Sequence, residues 1–165
     1  MDGILRKLPI GIQTFEKLRE GDYLYVDKTA LVWRIASTET PYFLSRPRRF
    51  GKSLLLSTFE AYFEGKKELF EGWVIANMEK EWKTYPVFHL DLNAEKYDSP
   101  QALVEILSRQ LTQWELKYGK GEDEETLSGR FAGVIRRACE QSGRGVVVLV
   151  DEYDKPLLQA LGDDA

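Results

Sequence analysis

Pro41-Tyr42-Phe43-Leu44-Ser45-Arg46-Pro47-Arg48-Arg49-Phe50-Gly51-Lys52-Ser53 is the stretch on which the reading of this chain turns. A short apolar segment, Pro41 to Ser45, runs into a basic loop, and Leu54, Leu55, Phe59, Tyr62 and Phe63 follow at helical spacing. Strand, loop and helix in that order are the setting in which G-x-x-x-x-G-K-[ST] binds phosphate, and Arg46 to Ser53 matches the second half of that pattern. Each residue type has a chemical reason. Gly51 lets the backbone approach a phosphate, Lys52 neutralises β and γ oxygens, Ser53 ligates Mg²⁺, and the free N–H groups at the helix start complete an anion nest. Arg46 stands where the pattern has glycine, so the loop entrance is built without a residue free at positive φ. Alone, Gly-Lys-Ser is a weak signal.

Gly145-Val146-Val147-Val148-Leu149-Val150-Asp151-Glu152 supplies a second element. Continuous apolar residues without alternation predict a strand covered on both faces, as in a parallel sheet flanked by helices. Apolar residues ending in Asp-Glu have the form of a Walker B strand. Its end would put Asp151 near the metal that bridges the phosphates and Glu152 where it can orient or deprotonate an attacking water. The bland alternative is a buried strand running into a solvated acidic turn. Two elements in the right order, each at the expected strand or helix end, weigh against it.

Working outward, Gly21-Asp22 reads as a turn before a strand-like Tyr23 to Val26, and Asp27 as the N-cap of a helix carrying Leu31, Val32 and Ile35. Glu64-Gly65 ends the helix after the phosphate loop. A charged, helical connector is anchored by Phe70, Trp73 and Trp82, and Pro86 to Leu92 reads as a further strand. Ser99 at N-cap and Pro100 at N1 open a helix with Leu103, Leu107, Leu111 and Trp114 on one face. Gly119 to Glu125 reads as a solvated acidic loop, and a last helix carries Leu127, Phe131, Val134, Ile135 and Ala138 up to Ser142-Gly143. With no repeat and no linker-like tract, residues 1–165 read as one α/β domain.

Composition narrows the classes. The 165 residues are 43% hydrophobic and 30% charged, which fits a soluble globular protein and excludes whole-chain disorder. A net charge of −4 argues against a protein that coats nucleic acid through its global field. Cys139 and His89 are the single cysteine and histidine, so neither an internal disulfide nor a common Cys/His zinc site is indicated. No apolar run reaches membrane-spanning length, and the expected location is the cytoplasm. Arg46, Arg48 and Arg49 suit a bound triphosphate, although a solvated loop or a nucleic-acid phosphate contact would use the same residues. Asp91, just past its strand, is placed either in a ligand crevice at the strand ends or in a turn cap. His89 reads as a core residue, and Tyr23 and Tyr25 as core or as a cover for an adenine ring.

The segments Tyr25-Val26-Asp27-Lys28-Thr29, Phe43 to Ser53, Ala61-Tyr62-Phe63-Glu64-Gly65 and Asp151-Glu152-Tyr153-Asp154-Lys155-Pro156 together resemble the predicted AAA-ATPase-like family of bacterial and archaeal proteins. That family also writes R-P-R-R before F-G-K-S, so Arg46 departs from the general pattern and not from the family. The resemblance implies a P-loop NTPase fold of the ASCE type, with ATP and Mg²⁺ as ligands. ATP would contact Arg46, Pro47, Arg48, Arg49, Phe50, Gly51, Lys52, Ser53 and Leu54. Ser53 and Asp151 would hold the metal, and Lys52 and Glu152 would be catalytic. Many members carry a PD-(D/E)xK nuclease-like domain, and no such region lies within these residues. Complete domains of this type place another strand between the two Walker strands and later supply an arginine finger. Residues 1–165 therefore read as an N-terminal portion, ending soon after Walker B. The expectation is that the Asp151 strand closes directly against the Phe43 strand, with self-association as the other way to fill the gap. Rival functions are a nucleotide-dependent binding module without catalysis and a nucleic-acid-associated domain serving a nuclease partner.

Overall fold

Two helices of this protein begin where a hydroxyl takes up an unpaired first-turn amide. Ser99 Oγ accepts from Ala102 N–H at 3.3 Å and Thr126 Oγ1 from Gly129 N–H at 3.0 Å. The computed structural model describes residues 6–38, 40–45, 50–93 and 99–155. It divides into two compact units, residues 1–84 and 85–165. Among the described residues no helix is long and apolar enough to cross a membrane.

The first unit is helical: α1 (Phe15–Glu20), α2 (Thr29–Ala36), α3 (Lys52–Phe63), one 3-10 turn (Lys67–Phe70) and α4 (Val74–Met78). Its core is aromatic. Phe15, Leu18, Val32, Phe59, Phe70 and Ile75 are buried, and the Phe15 ring meets Phe70 at 4.8 Å and Trp73 at 5.1 Å. Tyr25 stacks on Trp73 at 4.4 Å with 7° between the planes, and the Arg19 guanidinium lies 4.4 Å from the same ring while Arg19 Nε donates to Leu69 O at 2.6 Å. Phe15 N–H donates to Ser57 Oγ at 2.9 Å, which joins α1 to α3.

Asp27 does more than open α2. Its Oδ1 accepts from Thr29 N–H at 2.8 Å and from Thr29 Oγ1 at 2.6 Å, while its Oδ2 accepts from Val74 N–H at 2.9 Å. Thr29 Oγ1 in turn accepts from Ile75 N–H at 3.2 Å, so Asp27 and Thr29 together cap the start of α4 from 46 residues away. Burial alone would raise the Asp27 carboxyl, but the bonds from the Thr29 hydroxyl and the Val74 and Thr29 amides outweigh it and hold the group below its ordinary value.

Among the described residues two expected strands are absent. Tyr23 to Val26 makes a single parallel bridge, Lys7 to Tyr23, and residues 41–45 form no strand, Phe43 being 72% exposed. Both are apolar enough for strands, but a strand exists only where a neighbour satisfies its backbone groups. The connector expected to be helical holds only the short 3-10 turn and the five residues of α4.

The second unit is α/β: β1 (Val87–Asp91), α5 (Pro100–Tyr118), α6 (Leu127–Ser142) and β2 (Val147–Asp151). β1 and β2 form a small parallel sheet in register from Val87 opposite Val147 to Asp91 opposite Asp151. The partner of the Asp151 strand in this sheet is β1, and residues 41–45 form no strand, so the expected Phe43 strand on which it would close is not found among the described residues. Phe88, Leu111, Val134 and Ala138 form one core, with Trp114 stacked on Phe88 at 4.5 Å, and Leu92 and Ile106 a second with Leu90, Leu103 and Leu107. Cover of β2 alternates, contrary to its apolar sequence: Leu149 is buried, but Val148 is 43% and Val150 38% exposed.

Ion pairs lock the two helices. Arg130 donates to both oxygens of Glu115 at 2.7 Å, and also to Ser108 and Thr112. Glu124, expected in a solvated loop, accepts from Arg137 at 2.5 and 2.9 Å and from Gly121 N–H at 3.1 Å. The Arg137 guanidinium is the main reason its carboxyl is held down to about 2.

Candidate functional site

In the first unit, Gly51 has φ 75° and ψ 25°, the left-handed conformation, at the position just before α3. A Cβ added there would meet nothing within 4 Å, so the backbone angle and not crowding calls for glycine. Gly51 O accepts from Leu55 N–H at 3.0 Å, and as the N-cap residue glycine offers no side-chain cap. The amides of Lys52, Ser53 and Leu54 lie in the first turn of this twelve-residue helix, the end at which its dipole favours an anion. All three side chains are partly exposed, and Phe50 beside them is 63% exposed. Arg46, Pro47, Arg48 and Arg49 lie outside the described residues.

In the second unit, the carboxyl ends of β1 and β2 bring Asp91, Asp151 and Glu152 together. Asp151 is 6% exposed and lies in register with the exposed Asp91. Of its two expected roles Asp91 takes the turn cap: its Oδ1 accepts from Asn93 N–H at 2.7 Å after β1. Asp151 Oδ1 accepts from Glu152 N–H at 2.9 Å, and Glu152 has φ 54°, an angle few residues with a Cβ adopt. His89 is half-buried within β1, opposite Leu149.

Among the described residues no group of three or more His, Cys, Asp or Glu side chains could hold a metal ion. Mg²⁺ at a phosphate site does not need one, because it takes one or two protein oxygens and completes its octahedron with phosphate and water. Ser53 in the first unit and Asp151 in the second each carry an oxygen of the kind that ion takes. The amides after Gly51 and the Lys52 ammonium suit a polyphosphate.

A family model described as "Predicted AAA-ATPase" matches residues 9–165. The chain belongs to that family. A curated relative, described as "Uncharacterized protein in vnfD 5'region" of Azotobacter chroococcum mcd 1, is 43% identical over 157 residues. The match covers 94% of this chain and 30% of the relative. No solved structure matches. The segment Tyr25 to Thr29 carries a structural meaning that sequence reasoning missed: the Tyr25 stack and the Asp27–Thr29 cap of α4. Lys155 was also missed. Its Nζ donates to Asn93 O at 2.6 Å and to Asn93 Oδ1 at 3.1 Å. A lysine shortly after Asp-Glu was the available signal, but its partner is distant in sequence.

Proposed function

We propose that this chain is the nucleotide-binding part of a P-loop ATPase. ATP is its ligand, with Lys52 on the β and γ phosphates and the amides of Lys52, Ser53 and Leu54 on the phosphate oxygens. Arg46, Arg48 and Arg49 add charge at the loop. Ser53 and Asp151 are the protein ligands of Mg²⁺, which neutralises charge on the transferred group when bound. Glu152 orients the attacking water and accepts its proton, giving ADP and phosphate. The observation that carries the reading is the left-handed Gly51 opening α3 at Gly-Lys-Ser. The family supports a nucleotide ligand. The chain spans 30% of the relative's length.

Calorimetric titration with ATP, GTP and DNA, with and without Mg²⁺, tests this reading. The expected result is Mg²⁺-dependent ATP binding that Lys52→Ala weakens by ~1.5–3 kcal/mol, the worth of a hydrogen bond to a charged group, while circular dichroism stays unchanged. Equal affinity in the two proteins, or salt-dependent DNA binding without nucleotide, would defeat it.

A further inference from the structure

Beyond Asp91 and Asp151 the two strands enter turns that one side chain ties together. The circuit is closed. Leu92 N–H donates to Asp151 O at 3.1 Å, Glu152 N–H to Asp151 Oδ1 at 2.9 Å, and Lys155 N–H to Glu152 O at 3.0 Å. From there Lys155 Nζ crosses to both oxygens of Asn93, whose N–H donates to Asp91 Oδ1. Within this circuit Glu152 keeps its φ of 54°.

The choice of partner for the ammonium is informative. Asp91 and Asp151 lie at the same strand ends, and an ion pair to Asp151 would spend the charge that a metal ligand must offer. The two oxygens of Asn93 are neutral, so Lys155 makes strong charge-assisted bonds there and its ammonium is not spent on Asp151.

We infer that Lys155 is a positioning residue for Glu152. By fastening the turn after β2 to Asn93, it holds the Glu152 backbone in the left-handed conformation and so sets the direction in which the carboxylate leaves the strand end. It does this without touching nucleotide. The inference rests on the assignment of Glu152 to the attacking water, and the first arm of its test does not depend on ATP.

That arm is amide hydrogen exchange on the full chain, comparing wild type, Lys155→Met and Lys155→Arg. In Lys155→Met, exchange at Asn93 and Glu152 should quicken by about tenfold, with Leu92 and Leu149 unchanged, and Lys155→Arg should restore Glu152 toward wild type. The second arm is single-turnover ATP hydrolysis beside calorimetric affinity. Lys155→Met should slow hydrolysis by about tenfold and leave the ATP Kd within about twofold. Unchanged exchange at both turns would overturn the tie, and quickening that spreads through β1 and β2 would reduce Lys155 to a general stabiliser. A Kd that worsens as much as the rate would make Lys155 a nucleotide contact and overturn positioning. Local quickening in Lys155→Met, beside a wild type that binds ATP and never hydrolyses it, would defeat the hydrolytic assignment of Glu152, and the positioning role with it.

Discussion

Alanine at Gly51 and alanine at Gly65 should separate binding from stability, because the two glycines share a backbone angle and differ in their surroundings. Gly51 has φ 75° and Gly65 φ 72°. An L side chain forced into the left-handed region costs ~1–2 kcal/mol in either place. At Gly51 the added Cβ meets open space, and the cost stops there. At Gly65 it would come within 2.7 Å of Thr84 Oγ1 and 3.4 Å of Trp82 O, one of them backbone. Crowding of that kind adds ~1–3 kcal/mol, so Gly65→Ala should be the more destabilising change by roughly that amount. Affinity should rank the other way. A methyl on Gly51 stands where a phosphate must approach, and loss of one close charged contact weakens ATP by about tenfold or more, whereas Gly65 ends α3 far along the helix. Urea denaturation followed by circular dichroism gives the first ranking and calorimetry the second. If Gly51→Ala lost more stability than Gly65→Ala, or bound ATP as wild type does, the phosphate-approach reasoning would be refuted.

Other outcomes follow from single contacts. Glu152→Gln should abolish turnover while ATP stays bound, read by single-turnover assay beside calorimetry, because the amide keeps the shape and loses the basic oxygen. Asp27→Ala removes acceptors from the Thr29 and Val74 amides, and a cap of that kind is worth ~0.5–2 kcal/mol in a urea midpoint at neutral pH. The Glu124 carboxyl is depressed to about 2, so its contribution to stability is complete above the ordinary value of 4.5 and fades as pH falls toward 2. The urea midpoints of wild type and Glu124→Gln should therefore differ at pH 6 and converge near pH 2.

Periodicity made the helices legible. Lys52–Phe63, Pro100–Tyr118 and Leu127–Ser142 carry apolar faces and end signals that depend on near neighbours only, such as Ser99 before Pro100. Val87–Asp91 and Val147–Asp151 were also readable as strands, yet their partnership was not, since nothing local says which strand will satisfy which backbone. Tyr23 to Val26 and residues 41–45 show the opposite error, apolar segments that form no strand among the described residues. Of the candidate site, Gly51 and Asp151 stood out because a motif fixes their spacing. Asn93 and Lys155 did not, because their contact joins turns that the intervening helices bring together.

The parallel pairing of β1 and β2 also dictates an order of events as the second unit forms. Every residue from 92 to 146 lies between the paired strands, including both helices. Helix growth and the docking of α5 on α6 draw on near neighbours and run in microseconds, whereas parallel strands cannot meet through a tight turn and must wait for the crossover to close. The helix pair is thus the jig on which the ladder is assembled. Asp151 and Asp91 come abreast only in the last, slowest step, so amide protection at Leu92 should lag behind the far-ultraviolet helical signal during refolding.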